Sequence, residues 1–294
     1  MKPFPYAAFC ALLLGGVAIG FGGILMRLSD VNAIASAFWR LALAAPLLWI
    51  WAARTGASDR RAGKRTDVSS VLVWSGALFA IELGIWHVSL HYTNIANSTL
   101  LANMAPLCIA LWLWLRHGQR FTRGFLFGMA LAIVGAIFLV GPSASLANGA
   151  GAGHLVGDGL ALLSTTFYAA YQLMVKAARA HYSTARLMAW SSTISALVLL
   201  PWALATAGPF WPGSAAAWLP LVALALVAQL GGQTVIAYAF AHLPSSLASI
   251  SLLIQPLTAA VAAWALFGET IGPLRLCGGA LLLFGIYLSK RGSA

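Results

Sequence analysis

Apolar stretches of about twenty residues, the length that crosses a bilayer as a helix, recur ten times along this chain. They run over Tyr6–Met26, Ala33–Ala53, Val71–His91, Ala96–Leu115, Phe121–Val140, Leu155–Lys176, Leu187–Thr206, Trp218–Phe240, Ser245–Phe267 and Pro273–Ser289. Turn formers or charges separate them, as at 54–67 and 141–153. Ten such helices need about 200 residues, so a chain of 294 keeps little beyond short connections. Only 8% of its residues are charged and 61% are hydrophobic, whereas a soluble domain carries about 25% charge. That excludes a soluble enzyme, a secreted disulfide scaffold and an anchor bearing a water-soluble domain. The predicted fold class is an all-α polytopic membrane protein with ten transmembrane helices.

The net charge of +11 is placed between the apolar runs, not on one polar face. Its expected role is to orient the chain in the membrane, not to bind nucleic acid. With the N-terminus inside, 14 of the 17 basic residues fall on the cytoplasmic side, including the run Arg54, Arg60, Arg61, Lys64 and Arg65. Both termini are therefore expected in the cytoplasm. The first apolar run exceeds the core of a signal peptide, and the candidate cleavage motif Ala35-Ser36-Ala37 lies within the second run, so the first span is expected to be retained. Cys10, Cys108 and Cys277 lack metal or disulfide spacing and are expected to act as small packing residues.

A shift of 150 residues aligns the chain with itself without gaps: Pro106-Leu107 on Pro256-Leu257, Trp114 on Trp264, Gly118 on Gly268, Gly128 on Gly278 and Gly135 on Gly285. The repeat divides the chain into a five-helix unit at 1–147 and a second at 148–294, with Leu146–Gly153 as the linker. Five is odd, so the second unit must enter the membrane from the opposite side. An inverted five-plus-five repeat of this kind is used by secondary transporters, whose substrate site lies near the midplane between the halves.

Polar residues inside the spans are costly and tend to face a cavity or a partner helix. The fifth and tenth spans are almost free of them and carry glycines suited to close packing or to dimer contact. The third span aligns Ser75, Phe79, Glu82, Trp86 and Ser89 on one face. Glu82 is the carboxylate deepest in the membrane, and it is a candidate to titrate a proton or meet a substrate ammonium. The alternative is a group neutralised by Arg40, which ends the stripe Asn32, Ser36, Arg40; Arg40 itself could steer a carboxylate but is expected to tie the second span to its neighbours. His87 lies about 100° round the helix from Trp86 and could titrate near neutral pH or simply pack.

The fourth span offers Thr99, Asn103 and Pro106, and its repeat partner, the ninth, offers Ser251, Gln255, Pro256 and Thr258. Proline at equivalent depths frees backbone carbonyls, and paired broken helices point to a transporter site. The sixth span adds Thr165, Tyr168, Tyr171 and Gln172, and the eighth adds Gln229 and Gln233. A cavity lined by Trp86, Tyr168 and Tyr171 with Asn and Gln donors suits an amphipathic organic solute, and its aromatic faces would accept an ammonium. A membrane-embedded enzyme would need convergent acid and base groups. Glu82 and His87 point to different faces, and no HExxH motif occurs.

Taken together, the ten spans in two copies, the stretch Met104-Ala105-Pro106-Leu107 with Gly118-Gln119, Gly128 and Gly135, and the second copy Gln255-Pro256-Leu257 with Gly268-Glu269-Thr270, Gly278 and Gly285 resemble the drug/metabolite transporter superfamily in its EamA-type branch. The stretch Leu90-His91-Tyr92-Thr93 belongs to the same resemblance. Gln119 departs from it by standing where an acidic residue is common. Within that branch the chain is most similar to bacterial exporters of aromatic amino acids, and Glu82 and Tyr168 are the positions that carry the likeness. The resemblance implies a bacterial inner-membrane exporter of amino acids and related metabolites, with a cavity formed mainly by spans one, three, four, six, eight and nine. A broad drug or metabolite exporter is the alternative. No cofactor is expected. The expected partners are a small-molecule substrate and the lipid bilayer, and the chain is expected to act as a monomer or homodimer.

Overall fold

The computed structural model describes residues 4–89, 92, 101–145, 152–267 and 272–292. Among them the secondary structure is entirely helical. The first run forms α1 (Tyr6–Gly20) and α2 (Gly22–Arg27), which meet at Phe21. Next come α3 (Ala33–Arg61), α4 (Ser70–Ser89), α5 (Ala105–His117), α6 (Arg123–Ser145), α7 (Ala152–His181) and α8 (Thr184–Ala205). The eighth predicted span is composite, with α9 (Trp218–Ala223), a π-helical segment at Leu224–Gln233 and α10 (Thr234–Phe240). The last helices are α11 (Ser245–Ser251), α12 (Ile254–Phe267) and α13 (Pro273–Gly292). Six helical stretches among the described residues are long and apolar enough to span a bilayer, and large apolar side chains such as Leu14, Leu197 and Trp264 lie exposed on their outer surfaces. The chain is a multi-pass membrane protein.

Several boundaries have local causes. Asn32 caps α3, its side chain accepting a 2.7 Å hydrogen bond from the Ala35 N–H, and Ser183 caps α8 in the same way through Arg186. Gly118 ends α5 in the left-handed conformation, which costs glycine little. Both α3 and α7 extend beyond the apolar runs that predict them, because the chain stays helical into its charged ends at Arg60-Arg61 and Arg179. The cysteines differ from expectation: Cys10 and Cys277 are exposed on outward helix faces and Cys108 is partly so, since their helices turn other small residues inward.

The tightest packing joins α6 to α13. A β-carbon on Gly128 would lie 2.8 Å from the Gly285 carbonyl, and one on Gly285 would lie 2.6 Å from the Gly128 carbonyl. Gly135 and Gly278 stand in the same reciprocal relation, at 2.7 and 2.8 Å. Gly128 thus meets Gly285 while Gly135 meets Gly278, so the two helices run antiparallel with their backbones touching. The 150-residue shift exchanges one contact pair for the other, as a local two-fold axis requires. The glycines expected to permit close packing do so within one chain, where van der Waals contact replaces the hydrophobic drive that lipid removes.

Elsewhere, α4 packs on α7 and α8, α3 on α8 and the π segment, and α1 on the π segment, α10 and α12. Gly15 and Gly232 permit backbone contact between α1 and the π segment. The predicted linker and the boundary at 147/148 fall outside the described residues or at their edge, as do Leu90-His91, Thr93, Thr99 and Gly268-Glu269-Thr270.

The α6–α13 contact is expected to be intolerant of side chains. Gly135→Val would press a branched side chain onto the Leu282 and Gly278 backbones, with its β-carbon 2.4 Å from the Leu282 nitrogen. Overpacking of this kind should cost at least about 3 kcal/mol, seen as a clear fall in Tm in detergent. Gly159→Ala, whose β-carbon meets nothing within 4 Å, is the control and should unfold like the parent.

Candidate functional site

Both proline-bearing helices are broken where the sequence places the break. In the first copy, Asn103 and Met104 form a turn before α5, and Pro106 occupies its first turn. In the second, Leu252 and Leu253 separate α11 from α12, which carries Pro256 near its start. Tight three-residue hydrogen bonds close both turns, from the Met104 N–H to the Leu101 carbonyl and from the Leu253 N–H to the Ile250 carbonyl, each at 3.0 Å. The Leu101 carbonyl also accepts the Thr165 hydroxyl of α7 at 2.7 Å. A neighbouring helix thereby satisfies a backbone group at the break, as irregular backbone at membrane depth requires.

A polar cluster is built beside these breaks from α3, α4, α7, α8 and the π segment. Arg40 donates from Nε to the Gln229 side-chain oxygen at 3.1 Å, and the Gln229 amide donates to Ser192 Oγ at 3.0 Å. Gln233, four residues on, donates to the Tyr171 hydroxyl at 2.9 Å. Tyr171 stacks on Phe79, with ring centroids 4.6 Å apart, and lies nearly parallel to Tyr168 at 6.3 Å. The Arg40 guanidinium sits 5.8 Å from the centre of the Phe79 ring. Glu82 follows Phe79 by one helical turn on the same face of α4. The charges of Glu82 and Arg40 act on each other and on Tyr168, whose hydroxyl lies beside the amides of Gln172 and Gln255.

This cluster leaves polar atoms unmet. Among the described residues Glu82 makes no hydrogen bond or ion pair, although it is only 8% exposed. The Gln172 Oε1, Gln255 Nε2 and Trp86 Nε1 atoms are buried without partners. Buried polar groups are nearly always paired, and each exception calls for an explanation. Arg40, Trp86, Tyr168 and Gln255 keep part of their surface open, so the cluster is not sealed. An arrangement of two opposite charges, amide donors and acceptors and stacked rings can hold an organic solute that is polar at one end and apolar at the other.

The structure brings together Glu82, Tyr168, Tyr171, Gln172, Gln229, Gln233 and Gln255 from the residues singled out in the sequence. His87 lies elsewhere on α4, with Nδ1 2.6 Å from the Leu83 carbonyl, Nε2 3.3 Å from the Met26 sulfur and its ring edge-to-face with Trp86. Ser251 is buried and donates to the Leu247 carbonyl one turn back, and Asn103 is half-buried at its helix break. Arg40 ties α3 to the π segment through Gln229, and the same guanidinium reaches the cluster, where it lies near the Phe79 ring. Its stripe divides accordingly: Asn32 caps α3 and donates to the Ala203 and Pro209 carbonyls, and Ser36 donates to Ala33. Ser192 was missed altogether, having only a hydroxyl in a serine-rich helix to mark it.

The sequence pattern that defines the EamA-like transporter family matches residues 7–141 and again residues 155–291. The pseudopaline exporter CntI of Pseudomonas aeruginosa is 24% identical over 246 residues, covering 84% of this chain and 82% of that protein. A probable terminal-alkyne amino-acid exporter of Streptantibioticus cattleyicolor is 29% identical over 198 residues, covering 66% and 64%. A solved crystal structure superposes with a TM-score of 0.82 over 98% of both chains at 15% identity, a likeness that concerns the fold.

The cluster's internal bonds make a prediction of their own. Tyr171→Phe removes the acceptor for the Gln233 amide and leaves a buried donor unmet, a loss of about 1–3 kcal/mol measurable as a lower Tm. Tyr171→Phe combined with Gln233→Leu removes both partners and should recover most of that loss. Equal destabilisation by the single and double variants would show that this bond does not hold α7 to the π segment.

Proposed function

Because this chain belongs to the EamA-like transporter family, we propose that it exports amino acids, aromatic ones among them, and related metabolites across a bacterial inner membrane. The carrying observation is the buried, incompletely paired cluster around Glu82 and Tyr168, whose gathered unmet polar atoms a purely structural bundle would not need. The names of two relatives, one an exporter of pseudopaline and one a probable exporter of an amino acid, support the same direction of transport and the same class of cargo. The substrate contacts we assign are Glu82, Trp86, Tyr168, Tyr171, Gln172, Gln229, Gln233 and Gln255, with Asn103 at the neighbouring helix break; His87, turned to Met26, and Ser251, bonded to Leu247, stand behind them.

In this reading ten helices form two inverted repeats, at 1–147 and 148–294, with both termini in the cytoplasm. The broken helices at Pro106 and Pro256 supply the hinges. Each freed carbonyl lets the half-helices on either side of its break tilt separately, so the cavity opens to one side of the membrane at a time. The antiparallel α6–α13 pair stays rigid while the helices around the cluster move. The protein works in this way as a monomer or as a homodimer.

Counterflow in proteoliposomes tests the proposal, with labelled phenylalanine outside and unlabelled solutes trapped inside. Wild-type protein should accumulate label against trapped phenylalanine and other amino acids. Truncating a buried aromatic anchor costs about 2 kcal/mol or more, so Tyr168→Ala should raise the half-saturating concentration roughly thirty-fold. Folded wild-type protein that exchanges no amino acid would overturn the substrate class, and uptake driven instead by drugs or unrelated metabolites would establish the broad-specificity exporter.

A further inference from the structure

Arg40 and Glu82 both belong to this cluster and stand within electrostatic reach, yet they form no ion pair. Arg40 has its Nε bonded to Gln229, and Gln229 is fixed in turn by Ser192, so the plane of the guanidinium is set. Its terminal nitrogens make no hydrogen bond among the described residues and are not among the buried unpartnered atoms, so they remain accessible. Glu82 is likewise without a hydrogen bond among those residues. Phe79 adjoins both in the fold: Arg40 sits over its ring, and Glu82 lies three residues further along α4, about 4.5 Å of helical rise. Gln229 anchors the guanidinium on its Nε side, and no ion pair with Glu82 forms.

We propose that Arg40 and Glu82 form a clamp for the α-amino-acid zwitterion, with the Arg40 guanidinium taking the carboxylate, Glu82 taking the ammonium, and the Phe79, Tyr168 and Tyr171 rings bordering the side chain. The proposal rests on the amino-acid reading above and deepens it by assigning Arg40 as a specificity-determining residue. A guanidinium suits this role, because its planar fork of donors matches a carboxylate. The charge balance explains the selectivity. A bound zwitterion is neutral and meets both poles, so the loaded cluster carries no uncompensated charge. A solute with one charge satisfies one pole and leaves the other buried and unmet, which a low-dielectric site penalises strongly. The clamp therefore selects by the two head groups and is tolerant of the side chain.

Counterflow against three trapped solutes of similar size tests the clamp: phenylalanine, phenylalaninamide, which lacks the carboxylate, and 3-phenylpropionate, which lacks the ammonium. Wild-type protein should prefer phenylalanine over each analogue by at least about tenfold. Arg40→Gln should transport phenylalanine weakly and lose the preference over phenylalaninamide alone. Glu82→Gln should lose the preference over 3-phenylpropionate alone. Arg40→Lys, which keeps the charge but not the fork, should retain the preference at reduced affinity, and it guards against a folding defect in the glutamine variant. The clamp is overturned if wild-type protein exchanges either analogue as well as phenylalanine, or if the variants keep wild-type ratios. Exchange of phenylalanine without discrimination sinks the clamp and leaves the amino-acid exporter standing. Absence of all amino-acid exchange in folded wild-type protein sinks both.

Discussion

In hydrocarbon a polar group has no solvent to fall back on, so each one on a spanning helix must find a partner in protein or border a filled space. Most polar groups in this bundle obey the first alternative. Asn32 donates to the Ala203 carbonyl in the last turn of α8 and to the Pro209 carbonyl in the following loop, Ser195 donates to the Gly76 carbonyl of α4, Thr165 meets the break before α5, and the Trp49 indole donates to Thr193. These bonds cross between helices and set which faces meet. Single unmet atoms occur elsewhere, as at Trp190 and Tyr182, but around Glu82 and the end of Arg40 the unmet amides of Gln172 and Gln255 and the Trp86 indole are gathered together. A ligand placed there could complete several of them at once.

The two halves divide this work unequally. The 150-residue shift places Glu82 on Gly232, Thr165 on Gly15, Tyr168 on Ala18 and Gln172 on Gly22. At these four positions one copy carries chemistry and the other glycine or alanine. Those small residues let α1 touch the π segment through Gly15 and Gly232, while the equivalent α7 stands against α4 with its tyrosines between. The same pair of interfaces is therefore used once for backbone contact and once for a site. The α6–α13 contact differs from both: glycines line each side of it, so it is symmetric and carries no chemistry.

What the sequence made legible follows from how local each signal is. Glu82 could be found because a mid-span carboxylate is costly wherever it points, and the helix breaks could be found because proline acts on its own backbone. The glycine contacts were readable in kind, though not which helix would fill them. Arg40 resisted, because its role depends on Gln229, 189 positions along the chain, and no spacing within α3 reveals that partner. The π segment also resisted. No proline or charge marks it, and its widened turn arises where Gly232 lies against α1 and the Gln229 carbonyl accepts from the Thr234 hydroxyl. His87 shows the converse: a histidine beside the site residues in sequence is turned to Met26 by the rotation of a single residue.

Arg40 has a position that its chemistry alone does not explain. Its guanidinium bonds to Gln229 and lies over Phe79, and these two residues are 150 apart and so occupy equivalent places in the two copies. One side chain touching both members of an equivalent pair stands where the halves meet. If the halves exchange conformations to turn the cavity from one side to the other, groups far from their meeting point trade surroundings, whereas a group on it keeps a member of each half beside it throughout. A charge at that point can hold its ligand through the whole cycle without being rebuilt on either side. The unequal use of the two copies then acquires a reason: an axis has room for one guanidinium, and the place equivalent to Arg40 is filled by Trp190, which packs edge-to-face against Trp49 away from the cluster.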